Sequence, residues 1–109
     1  MSSEHVSTRV NSARLPDFIG QTVRLACKPL QKSADIITVQ ASDGGEVTVQ
    51  LIRDAEITDP YIEVVGKVVD ATTIKMMSLI NLGSDLDLKL VNDTVELIHD
   101  PRFYTRMFT

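Results

Sequence analysis

A chain of 109 residues with 43% hydrophobic and 24% charged side chains has the balance of one globular domain, large enough to bury a core without disulfide or metal staples. No apolar run approaches the roughly 18 residues of a membrane span, and the opening MSSEHVSTRVNS lacks the apolar stretch of a secretory signal. Charge is uneven: residues 1–32 carry five basic and two acidic groups, residues 33–100 four basic and thirteen acidic, so only the N-terminal third would attract phosphate.

Taken in chain order, residues 1–10 read as a flexible polar arm. FIGQTV is expected to cover one end of the fold, with Phe18 and Ile19 tucked under it. VRLACK then has period two, with Val23, Leu25 and Cys27 inward and Arg24, Ala26 and Lys28 outward. Cys27 is the single cysteine, which excludes an internal disulfide, and its inward position predicts an inert thiol and fits a reducing compartment. Pro29 cannot donate to a ladder and marks an edge or a bulge. ITVQA and EVTVQL are two more strands joined through SDGG, a hairpin turn. RDAEITDP is a connection, with one helical turn at most. YIEVVGKVV is a fourth strand, interrupted by Gly66, which predicts a bulge or sharp bend. IKMMSLIN is a fifth, apolar on both faces.

Five short strands with tight connections predict a mainly β fold, a small closed barrel or a sandwich. The interior glycine favours the barrel, and five strands at this length suggest the OB architecture over residues 11–83. Residues 84–109 then supply a C-terminal α-helix and tail. Ser84 is placed to cap the helix in a capping-box spacing with Asp87, Asp85 and Asp87 suit its first turn, and His99 and Pro101 mark its end.

On a helical wheel Leu97, Leu90, Thr94, Ile98, Val91, Val95 and Leu88 fill an arc of about 180°, whereas a helix lying on one surface needs little over 100°. The arc divides into two stripes. Leu90, Thr94 and Leu97 form one; Leu88, Val91, Val95 and Ile98 form the other, with the spacing of a helix–helix seam. One stripe would pack on the barrel and the other on a partner, unless the whole arc lies in a groove of its own domain. The seam spacing assigns Leu88, Val91, Val95 and Ile98 to the partner, together with Arg102 and Phe103 of the segment that follows. The wheel by itself leaves the choice of stripe open.

Catalytic and metal chemistry find no support in the residue inventory. His5, Cys27 and His99 do not make a zinc site of recognised spacing, and the glycine pair in DGGE lacks the lysine and strand-to-helix context of a phosphate loop. No cofactor, small-molecule substrate or membrane contact is implied, and enzyme activity is not expected. Arg14, Arg24, Lys28 and Lys32 are weak candidates for nucleic-acid contact, because single-strand grooves in OB domains combine basic groups with stacking aromatics. Phe18 and Tyr61 are the only aromatics before the terminal segment.

VNSARLPDFIGQTVRL, IEVVGKV and LVNDTVELIHDPRFY, in that order and spacing, resemble the small subunit of replication protein A, the eukaryotic heterotrimer that coats single-stranded DNA. The resemblance runs from Arg9 to Phe108. It implies an OB barrel whose helix joins a three-helix bundle with the large and middle subunits. It also implies that single-stranded DNA is held mainly by those subunits, in nuclear replication, repair and recombination. The small OB subunit of telomere-capping trimers shares the plan and is the nearest alternative. A stand-alone weak single-strand binder is another.

Overall fold

The structure, a computed structural model, describes residues 7–100. Six strands, a 3-10 helix and one α-helix make up this span: β1 (Thr8–Arg9), η1 (Ser12–Phe18), β2 (Thr22–Lys32), β3 (Ile36–Ala41), β4 (Glu46–Gln50), β5 (Tyr61–Asp70), β6 (Thr73–Gly83) and α1 (Leu88–Ile98). The five predicted strands are present as β2 to β6. β1 is an addition: near the end of the span read as an arm, Thr8 and Arg9 pair in parallel with β2, opposite Val23 and Arg24, and Val10 beyond them is buried.

Closure follows from the length of β2. Its first half pairs antiparallel with β5, from Thr22–Lys67 to Cys27–Ile62, and its second half pairs with β3. β3 continues to β4, β4 pairs in parallel with β6, and β6 returns to β5, so the ring closes with no free edge between them. One strand serves two neighbours only if it bends. β2 has a register irregularity between Pro29 and Gln31, where the proline has no N–H to offer. The predicted Gly66 bulge is also present, as a register shift between Val65 and Gly66 against β6.

Alternation fills the interior. Val23, Leu25 and Cys27 meet Ile37, Val39, Val47, Val49, Ile62, Val64, Val68, Ile74 and Met76 in one core. Burial pushes the Cys27 thiol up to about 12, with the neighbouring Glu63 charge adding to the shift, so it is a packing group. The plug at the η1 end differs from expectation. Leu15 is the fully buried residue, Phe18 packs at the core margin, and Ile19 is exposed, because the 3-10 turn carries Ile19 past the barrel rim. The outer apolar residues of β6, Met77 and Ile80, are likewise exposed.

The hairpin loop between β3 and β4 does more than turn the chain. Asp43 accepts from Ser12 N, Ser12 Oγ and Ala13 N, and so holds the start of η1. Burial pushes its carboxyl up, but donation from Ser12, Ala13 and Gly45 outweighs that and leaves it below its ordinary value of 3.8. A carboxylate held low in the folded state stabilises above its unfolded pKa, and that contribution is lost as pH falls through the folded value. Asp43→Ala is therefore expected to cost about 1 kcal/mol at neutral pH, as a lost cap does. Urea unfolding of the two proteins should converge as pH drops below 3.8.

Candidate functional site

α1 starts one turn later than the sequence predicts. Asp87, not Ser84, is the N-cap, its side chain accepting from Leu90 N at 3.1 Å. The reason lies upstream. β6 stays paired as far as Gly83, whose N–H donates to Asp59, so residues 84–86 are used to leave the sheet. At the other end His99 caps the helix, its N–H donating to Val95 O, while the Asp100 N–H donates to Leu97 O.

Polar side chains fix the rotation of the helix on the barrel. Asn11, buried at the start of η1, donates through Nδ2 to Asn92 Oδ1 at 2.8 Å and to Glu96 Oε2 at 2.7 Å. Its own Oδ1 caps η1 by accepting from Arg14 N. Ser42 also donates to Asn92 Oδ1. Arg14 holds Glu96 through two nitrogens, at 3.0 and 2.7 Å, and this pairing, with Asn11, keeps the Glu96 carboxyl below its ordinary value. His99 Nε2 lies 2.9 Å from Arg9 O, and its ring meets Phe18 edge to face at 5.6 Å between centroids. The ion pair is exposed enough to contribute little by itself. The buried Asn11 network contributes more, since a partly broken one would strand its members without partners.

These anchors turn the helix so that its polar edge, and not the middle of its apolar arc, meets the barrel. Val95 is buried at 2% exposure, flanked by half-buried Leu88, Val91, Asn92 and Ile98. Leu90 and Leu97 are left 63% and 48% exposed, with exposed Thr94 between them. The apolar arc is therefore wider than the seat, and of the seam residues Leu88, Val91, Val95 and Ile98 only Val95 is fully buried on the barrel. Val95 lies against its own barrel, with Leu88, Val91 and Ile98 partly so, because Asn11 and Arg14 pull on Asn92 and Glu96 at the far edge of the arc. Arg102 and Phe103 lie outside the described residues. A groove of about 320 Å³ runs beside the overhang, lined by Val10, Ala26, Leu82, Leu86, Leu90 and Val91 among others.

The basic candidates separate. Arg14 is taken by Glu96, and Arg24 donates to the buried Glu63 at 3.1 Å, as does Arg9 at 3.2 Å. Lys28 and Lys32 are exposed on β2. The β3–β4 outer face, where OB domains hold strands, presents Thr38, Gln40, Thr48 and Gln50, and the loops beside it are residues 33–35 and 71–72. Sequence reading missed Asn11, Glu63 and Asn92. Their partners lie 39 to 85 positions away, where no periodicity links them.

A five-stranded barrel closed by a parallel β4–β6 pair and seated beneath a terminal helix defines an OB-fold domain. The sequence model of the family described as Replication factor A protein 3 matches residues 1–104, and the chain belongs to that family, the small subunit of replication protein A. A chain in the structure of U. maydis replication protein A bound to ssDNA is similar at 29% identity and a TM-score of 0.82, over 85% of this chain and 89% of that one. The telomere capping protein Ten1 from S. pombe matches at 14% identity and a TM-score of 0.68, over 84% of this chain and 95% of its own. A chain of the S. pombe Stn1-ten1 complex gives the same identity and score, over 84% of this chain and 90% of that one. At that identity the likeness is one of fold. Among curated proteins no significant match is found.

Proposed function

We propose that this chain is the structural subunit of a replication protein A heterotrimer, acting without catalysis in the nucleus during DNA replication, repair and recombination. The barrel serves as scaffold. The exposed stripe of α1 packs in a three-helix bundle with one helix each from the large and middle subunits, and single-stranded DNA is held mainly by those subunits. The observation that carries this reading is the apolar overhang: Leu90 and Leu97 stand in solvent on a helix whose rotation is fixed by hydrogen bonds from the buried Asn11. An apolar stripe held out in that way marks a contact with another protein. Family membership and the U. maydis likeness support the identity of the partners. The DNA assignment is supported by the β3–β4 face, which has no ring to stack a base, and by the carboxylates that occupy Arg14 and Arg24.

Co-expression with the large and middle subunits tests the reading together with titration of a labelled oligonucleotide. The expected result is a stoichiometric trimer that binds the strand and an isolated chain that does not, even at low salt. Binding by the isolated chain, with a salt slope near −0.7 per phosphate contacted, would move the DNA role to this subunit. Failure to co-purify would remove the assembly role.

A further inference from the structure

Arg9 and Arg24 face each other across the β1–β2 ladder, an arrangement of like charges that repels. Among the described residues one carboxylate pairs with them: Glu63 Oε2 accepts from Arg9 Nε and Oε1 from Arg24 Nη1. Two guanidiniums against one carboxylate leave one positive charge uncompensated. Glu63 is 5% exposed and fixes the positions of both arginines, which leaves the outer Nη groups of Arg9 and one of Arg24 for a second acceptor. Ser7 stands at that place. It lies two residues before Arg9, just ahead of β1, and its Oγ accepts from Arg24 Nε at 3.2 Å. Ser7, Arg9 and Arg24, with Thr8 and Ile98, line an open cleft of about 300 Å³.

We propose that Ser7 is a phosphorylation site and that Arg9 and Arg24 are the receptor for its phosphate. A protein kinase would join Ser7 Oγ to the terminal phosphorus of a nucleoside triphosphate. The bond to the bridging oxygen breaks, the diphosphate leaves, and the hydroxyl proton passes to the kinase's base. The new group brings close to two negative charges and three acceptor oxygens to arginines already in place. A nucleic-acid phosphate is the poorer occupant, since among the described residues no aromatic side chain lines the cleft and residues 33–100 are strongly acidic. The position also bears on the helix. Arg9 O bonds His99 and Ile98 lines the cleft, so a clamped phosphate would tie β1 beneath the last turn of α1.

The test uses the full chain with phosphoserine encoded at position 7, alone and with Arg9→Gln. Arg9 is 54% exposed and its removal keeps the Arg24–Glu63 pair, so this variant should fold. Phosphorus-31 titration is expected to place the second ionisation below its usual value of about 6 in the folded chain. The phosphate is also expected to raise the Tm by about 4 °C or more, with both effects reduced by Arg9→Gln. The same titration in folded and urea-unfolded protein, or a Tm gain untouched by Arg9→Gln, would overturn the receptor. Phosphopeptide mapping of protein from its own cells, with phosphatases inhibited, is expected to find phosphate on Ser7, and its absence would overturn the modification.

Discussion

Adding one methyl group at Gly66 is expected to lower the unfolding free energy by about 3 kcal/mol, the upper end of the usual overpacking cost. A Cβ at this position would press on the Lys75 carbonyl oxygen and lie 2.7 Å from Ile74 Cγ2. Neither neighbour can give way cheaply. Lys75 is fixed on both sides, paired with Lys67 of β5 and Gln50 of β4, and Ile74 is fully buried in the core. The close approach is a consequence of the bulge between Val65 and Gly66, which bends β5 so that β6 can also reach β4. Gly44→Ala provides the contrast. Gly44 sits at φ +90° in the hairpin, but a Cβ there meets nothing within 4 Å, so the cost is local backbone strain of about 1–2 kcal/mol. Urea unfolding of both variants checks the difference. Equal midpoints would show that the β5–β6 approach is not what requires glycine at position 66.

How far the sequence discloses this architecture depends on the range of the interaction involved. Alternation in VRLACK, ITVQA and EVTVQL depends on neighbours two residues apart, and those strands lie where the pattern puts them. Gly66 and Pro29 announce irregularities by their own backbone chemistry, and both mark register shifts. The parallel pairings β1–β2 and β4–β6 leave no such trace, since no turn connects the paired strands. The N-cap shows the same limit. Ser84 and Asp87 both suit the role, and the choice falls to Asp87 because β6 holds Gly83 through Tyr61 and Asp59. The candidate site was legible as an arc too wide for one surface, but not as a direction. Each stripe is apolar enough to seek cover, Leu90 and Leu97 in one and four aliphatic residues in the other. The decision between them is made by Asn11 and Arg14, more than 80 positions before the residues they hold.

The orientation of that arc carries the second large expected effect. Replacing Leu90 and Leu97 together with glutamate should weaken assembly with the large and middle subunits roughly a thousandfold, about 2 kcal/mol for each buried anchor. The same double variant should leave the Tm of the isolated chain nearly unchanged, since both side chains already stand in water and surface changes of this kind seldom exceed about 0.5 kcal/mol. Val95→Ala should do the reverse. Val95 is buried against its own domain, and removing its packing should cost about 1.5–3 kcal/mol of chain stability while leaving the exposed stripe intact. Affinity measured by calorimetry, beside thermal unfolding of each variant alone, separates the two faces of the helix. If the double glutamate variant enters the trimer at full affinity, the seam belongs instead to Leu88, Val91 and Ile98, and the half-buried state of those side chains would have to open when the partner helices arrive.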